Sequence, residues 1–440
     1  MDLGLCRRSD AAGTLGGPVE FRTAAARRKG EIEVLATTRS RRARRSVSAA
    51  GVLVALAVVL AGCAASGPVR GTSASPVTVD ATTLNAEFAR LAKSLQVPGA
   101  AMLVRGPGGE VTATYGVTEL GGSTPVSLAD HFRVGSNTKT MTGTVILQLV
   151  QEGRIALHDP VSTYLTNVPN GDRITIEQLL DMRSGLANYT ATLALNTALD
   201  EEPQRVWTPE ELAAMGLAEK PNFAPGDDWS YSNTNTVLLG LIAQKLEGEP
   251  LSAIFEKRLF EPLGLHQTSL PAAADAALPE PYTHGYMYSN NVDTMESAKL
   301  PADELARAKA ATLLPSDQTN LNPSWAWAAG GVISTIDDLA KWVEALGGGR
   351  LLDAKLQKER LASVRTVPVD LPDPRYGWGI AKIGQLYGHT GELPGFNSFM
   401  GYDPAHRVTI VVWTNLAPAA DGRPPAATIA TRLMTSIYGG

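Results

Sequence analysis

The stretch Phe132-Arg133-Val134-Gly135-Ser136-Asn137-Thr138-Lys139 runs directly into Thr140-Met141-Thr142-Gly143-Thr144-Val145-Ile146-Leu147-Gln148-Leu149-Val150. After Gly135 the pattern turns helical, because Met141, Val145 and Leu149, with Ile146 and Val150, fall on one apolar side. Ser136 and Lys139 then share the first turn and one face. A hydroxyl there feels the positive end of the helix dipole, and a lysine whose ammonium is disfavoured by burial can take its proton. The pair reads as nucleophile and base. A bare Ser-x-x-Lys is also an ordinary solvated helix start, so the reading needs two further motifs downstream in the chain.

With 440 residues, 44% hydrophobic and 19% charged, the chain can build a large core. The formal charge of -5 hides an asymmetry: residues 1–62 hold 11 basic and 5 acidic residues, leaving 28 against 39, or -11, for the rest. A nucleic acid is therefore not an expected partner. Arg39, Arg41, Arg42, Arg44 and Arg45 precede an apolar run over 47–60 that ends in Leu60-Ala61-Gly62-Cys63. The run is too short to span a bilayer comfortably and reads as the apolar region of a signal peptide, with residues 1–38 either an extended front or the product of a misassigned translation start. The only two cysteines are Cys6 and Cys63, so the part after Cys63 has no disulfide, thiol nucleophile or cysteine metal site.

Residues 64–79 are rich in Gly, Ser, Pro, Ala and Thr and read as a flexible tether. Leu84, Phe88, Leu91 and Leu95 then mark an amphipathic helix, and 100–105 with 111–117 a hairpin around Gly106-Pro107-Gly108-Gly109. The pattern predicts a helix over 174–184 stopped by Gly185, and another starting at the capping box Thr208-Pro209-Glu210-Glu211. A turn-rich loop, 223–233, leads into an apolar helix over 236–246 and carries Tyr231-Ser232-Asn233 at its end. Alone, that tripeptide could be aromatic packing plus a helix cap, and Tyr288-Ser289-Asn290 repeats it. Tyr231 is preferred because it precedes a firm helix, whereas Tyr288 lies in a polar segment, 271–323, that looks like a lid or insertion. Three late strands, near 387–391, 396–402 and 408–415, precede a last helix over 426–438. Two early and three late strands make an α+β fold: an antiparallel sheet of about five strands, flanked by the terminal helices, beside a helical lobe over about 120–330.

With Ser136-Asn137-Thr138-Lys139, Tyr231-Ser232-Asn233 and His389-Thr390-Gly391 in order, residues 82–438 resemble the serine hydrolases of the penicillin-binding protein and class C β-lactamase superfamily. The likeness is greatest to the branch of DD-carboxypeptidases, D-aminopeptidases and lipase-like esterases. Ile176-Glu177-Gln178-Leu179-Leu180, Pro262-Leu263-Gly264-Leu265, Gly330-Gly331 and Tyr376-Gly377-Trp378-Gly379 support it. Leu60-Ala61-Gly62-Cys63 resembles a bacterial lipobox, which implies a lipid anchor at Cys63 on the outer face of the cell membrane; an ordinary signal peptide is the alternative. The domains implied are a leader over 1–62, an anchored tether over 63–80 and a hydrolase domain over 81–440.

The resemblance implies that Ser136 forms an acyl-enzyme, with Lys139 and Tyr231 sharing its proton. It implies that Asn233 orients Lys139 and the substrate amide, that His389, Thr390 and Gly391 line the opposite wall, and that the backbone N–H groups of Ser136 and Glu392 form the oxyanion hole. It calls for no metal or organic cofactor. His389 stands where many relatives carry lysine, and Glu392 is an acidic side chain where carboxypeptidases of that branch place a hydroxyl. A substrate carboxylate would be opposed by Glu392, whereas an amine would be welcomed. Three hydrolase readings are open: DD-carboxypeptidase or peptidase on peptidoglycan-derived peptides, esterase, and D-aminopeptidase. β-Lactamase action ranks below them, and a lipoprotein that binds a small molecule or peptide in an inactive pocket is the non-enzymatic alternative.

Overall fold

Alternate residues of one strand serve two different cores. A computed structural model describes residues 80–439. Within it, Ala100, Met102 and Val104 of strand β1 (Gly99–Gly106) face one apolar cluster, and Ala101 and Leu103 face another. The leader, the tether up to residue 79 and Cys63 lie outside the described residues.

β1 turns tightly into β2 (Gly109–Gly116), and residues 117–364 intervene before the sheet resumes. It continues with β3 (Arg365–Thr366), β4 (Arg375–Gly377), β5 (Ile380–Ile383), β6 (Leu386–Leu393), β7 (Phe396–Asp403) and β8 (Val408–Thr414). The order is β2-β1-β8-β7-β6-β5-β4-β3, antiparallel at every step. The five strands expected from the sequence form one continuous half. The three added strands have two to four residues each, too short to show an alternating pattern.

One face of the sheet is covered by the two terminal helices, Ala81–Ser94 and Pro425–Tyr438, through Phe88, Leu91, Ile429 and Leu433. The other packs on helix Ile336–Gly348, whose Trp342 and Val343 join the larger core with Val411 and Trp413. Phe132 stacks on Trp413 with ring centroids 5.1 Å apart, tying the chain ahead of Ser136 to the centre of the sheet.

The nucleophile helix, Thr138–Gln151, is buried on nearly every side rather than along one apolar stripe. Its threonines tolerate this because each hydroxyl is satisfied. Thr140 donates to Asn137 O and accepts from Trp342 Nε1; Thr142 donates to Ala328 O; Thr144 donates to Thr140 O and accepts from Arg360 Nη1. The helix expected over 174–184 ends early, at Leu180, because Met182 takes a left-handed φ of 64°. Thr175 and Gln178 form its capping box. The Thr208 box opens Pro209–Ala218.

The segment 271–323 is structured. It pairs Tyr286–Met287 with Ser316–Asp317 and carries helices Asn291–Glu296 and Ala302–Lys309. No helix among the described residues is long and apolar enough to cross a membrane.

Candidate active site

Ser136 sits in a single 3-10 turn, Gly135–Asn137, that leads into the nucleophile helix. Several hydrogen bonds fix this turn against β7: Ser398 Oγ donates to Val134 O at 2.8 Å, and Asn137 Nδ2 donates to Val134 O at 3.0 Å and to Ser398 Oγ at 2.7 Å. Two glycines let β6 approach it. Gly135 has φ 57°, and a Cβ there would lie 2.6 Å from Glu392 N; a Cβ on Gly391 would lie 1.9 Å from Val134 O. The backbone at Ser136 and at Glu392 is thereby brought together.

Lys139 Nζ lies 2.9 Å from Ser136 Oγ and donates to Ala329 O at 2.7 Å. The side chain is 1% exposed, and burial without a carboxylate partner drives its pKa well below the ordinary lysine value. Burial thus favours the amine form, in which one N–H is directed at Ala329 O and a lone pair can meet the serine hydroxyl.

Tyr231 stands beside this pair, its ring centroid 4.8 Å from Lys139 Nζ. Burial raises the phenol's pKa, and hydrogen bonding to Ser136 opposes the rise only in part, so Tyr231 remains a proton donor. Tyr288, the competing candidate, is packed in the core behind the sheet.

His389 is 4% exposed, and its Nδ1 lies 2.6 Å from Thr390 O, a carbonyl that can only accept. Nδ1 therefore carries the proton, and Nε2 accepts from Tyr376 Oη at 3.2 Å. Burial, then the nearby Lys139, lowers the His389 pKa to about 3, so the imidazole is neutral and gives the wall no positive charge. Tyr376 and His389 pack edge to face at 5.5 Å, and both lie 6.2 Å from Tyr231.

Asn233 does not take the place expected of it. Its Nδ2 donates to Thr190 Oγ1 at 2.8 Å, and its backbone N–H donates to Asn188 Oδ1 at 3.0 Å. Lys139 is oriented by the Ala329 carbonyl instead. Asn233 still lines the cleft, as Thr390 does on the opposite side.

Two chambers open from the nucleophile, and only Ser136 and Glu392 line both. The first, about 280 Å³, is largely apolar, with Trp229, Tyr231, Val367, Leu371, Tyr376 and Ile383 in its wall. The second, about 260 Å³, mixes Asn233, Asn291 and Thr294 with Leu195, Trp325 and Leu393. At the saddle, Glu392 Oε2 accepts from Asn397 Nδ2 at 2.9 Å. Glu392 presents surface to the cleft, yet the protein packed around its carboxyl raises the pKa to about 6 against the opposing pull of Asn397.

Ala329, Tyr376 and Asn397 complete the site and had no role in the sequence reading. Tyr376 and Ala329 lie in or beside recognisable phrases, but a backbone carbonyl leaves no side-chain signature, and the reach of Tyr376 to His389 requires the β4–β6 register. Among the described residues no group of three or more His, Cys, Asp or Glu side chains is placed to hold a metal ion.

The chain is 31% identical to a D-stereospecific amidohydrolase from Streptomyces sp., covering 82% of this chain and 99% of that one, with a TM-score of 0.69. The D-amino acid amidase of Ochrobactrum anthropi SV3 shares the fold at 24% identity and a TM-score of 0.70, covering 82% and 99% of the two chains. An octameric penicillin-binding protein homologue from Pyrococcus abyssi shares it at 24% and 0.68, covering 82% and 78%. Curated relatives from Bacillus subtilis and Staphylococcus aureus, two of them with penicillin-binding names, are 24–25% identical over 69–76% of this chain, which spans 60–74% of their length. The family model described as Beta-lactamase matches residues 84–433. The chain belongs to the beta-lactamase family of serine acyl-transferring hydrolases.

Proposed function

We propose that this protein hydrolyses amides of amino acids through an acyl-enzyme on Ser136, with preference for substrates that carry a free ammonium on the acyl side. The observation that carries this reading is Glu392, a carboxylate shared by both chambers at the nucleophile. The charged groups around it point the same way. His389 is neutral, Lys139 is spent on Ser136 and Ala329, and Arg375, in the wall of the apolar chamber, is paired with Asp373. A carboxylate-terminated peptide would find no uncommitted cation among these groups. The 31% identity to a D-stereospecific amidohydrolase supports D-configured substrates.

In this mechanism neutral Lys139 takes the Ser136 proton as Oγ bonds to the carbonyl carbon. The oxyanion rests on the Ser136 and Glu392 N–H groups, each worth about 3 to 4 kcal/mol in other acyl-transfer sites. Tyr231 hands its proton to the leaving nitrogen as the C–N bond breaks and recovers one from Lys139. Water then hydrolyses the ester, with the same groups working in reverse.

Steady-state hydrolysis of D-phenylalanine amide, its N-acetyl derivative, its L-enantiomer and an acyl-D-Ala-D-Ala peptide tests the reading. The free D-amide is expected to have the highest kcat/KM; equal or faster release of D-alanine from the peptide would return the function to carboxypeptidase. A second reading, amino acid esterase, is favoured by the apolar chamber, which suits an alkyl or aryl leaving group. The envelope location is likewise a proposal, checked by palmitate labelling that should be lost in Cys63→Ala.

A further inference from the structure

The two chambers divide the substrate. A leaving group that receives its proton from Tyr231 has to lie on Tyr231's side, in the apolar chamber, so the acyl group occupies the other. The outer wall of that acyl chamber comes from the inserted segment, through Met287, Asn291, Thr294 and Ala298. Three of these four belong to or closely succeed the helix Asn291–Glu296, which at six residues has too few internal hydrogen bonds to hold its own position.

One carboxylate ties its first turn to the facing helix. Asp200 Oδ1 accepts from Asn291 N at 2.8 Å and from Asn291 Nδ2 at 2.7 Å, and Asp200 Oδ2 accepts from Val292 N at 2.9 Å. Asp200 belongs to helix Leu193–Glu201, which supplies Leu195, Asn196 and Leu199 to the same chamber. The two facing walls pack on each other, and the hydrogen bonds that join them converge on one side chain outside the cavity lining.

We infer that Asp200 is a positioning residue that fixes the width of the acyl chamber through Asn291, and that this contact selects compact acyl groups over extended ones. The inference rests on the proposed acyl-enzyme, with Tyr231 on the leaving-group side.

The test uses p-nitrophenyl acetate and p-nitrophenyl octanoate, whose common leaving group isolates the acyl side. Asp200→Ala removes the acceptor for all three donors and is expected to raise the octanoate-to-acetate ratio of kcat/KM at least tenfold. Thr294→Trp, which fills the chamber without touching Asp200, is expected to lower the same ratio at least tenfold and provides the readout if Asp200→Ala does not fold. Ser136→Ala measured alongside separates the two claims. Turnover that survives it would overturn the acyl-enzyme and the chamber-width inference together. Turnover that depends on Ser136, with a ratio within twofold of the parent in either folded variant, would overturn the chamber-width inference alone.

Discussion

Lys139 Nζ lies 2.9 Å from Ser136 Oγ, with its remaining reach spent on the Ala329 carbonyl at 2.7 Å. A buried lysine that meets a hydroxyl and a carbonyl but no carboxylate is biased toward the amine, the form in which it can accept a proton. Lys139→Arg installs a cation that cannot deprotonate, and kcat should fall by about 10²- to 10⁴-fold, the usual range for losing a general base. Steady-state kinetics, with far-UV circular dichroism to confirm the fold, would check it. A variant within tenfold of the parent would remove Lys139 from the base role.

Glu392 gives the pH dependence its sign. Its pKa is raised to about 6, so the carboxylate is charged above that pH and is lost as pH falls through it. For a substrate with a free ammonium, kcat/KM should decline below about pH 6 with a limb that Glu392→Gln abolishes. At pH 7 the Gln variant should lose about 10- to 100-fold in kcat/KM for the free amide, the worth of a hydrogen bond to a charged group, and little for the N-acetyl derivative. A parallel loss on both substrates would assign Glu392 to another task.

Much of this site was legible before the structure, and the line between what was and was not is physical. Ser136 and Lys139 announce themselves because both side chains lie on one helical turn, whereas Tyr231 and His389 took their roles from the resemblance that the three ordered motifs carry. The pocket's second layer does not announce itself. Ala329 acts through a carbonyl, Asn397 reaches Glu392 across a strand pair, and Asp200 meets Asn291 across a sequence separation of 91. Asn233 lines the cleft as its motif implies, but its side-chain amide donates to Thr190 and makes no contact with Lys139, a choice that neighbours distant in sequence decide. In the fold, the long strands β1, β2, β6, β7 and β8 were legible as runs bounded by turn residues, while β3 to β5, at two to four residues, were too short to be read.

The Thr390 carbonyl fixes the His389 tautomer, and Tyr376 Oη donates to the Nε2 left as acceptor, 3.2 Å away inside the protein. Tyr376→Phe leaves Nε2 buried without its donor and should cost about 1 to 3 kcal/mol of stability. Urea unfolding would measure it. A larger fall in kcat than in kcat/KM for an apolar-leaving-group ester would show that the histidine wall also drifts; unchanged stability would mean the contact is replaced by water.

Gly135 is the hinge between the nucleophile and the proposed oxyanion hole. A Cβ at φ 57° would stand 2.6 Å from Glu392 N, so Gly135→Ala must push β6 away from the serine turn. Loss of one oxyanion donor costs about 10²- to 10³-fold in kcat, and that fall is expected here with KM changed far less. A variant with full kcat would show that the Glu392 N–H is not part of the hole.

The central claim is that Ser136 becomes covalently acylated by an aminoacyl substrate. Intact-protein mass spectrometry after rapid mixing with D-phenylalanine p-nitrophenyl ester and acid quenching tests it directly. The parent should gain the mass of one phenylalanyl group, retained on the peptide containing Ser136, and Ser136→Ala should gain none. Ester hydrolysis without any adduct on the parent, or an equal adduct on Ser136→Ala, would contradict the account.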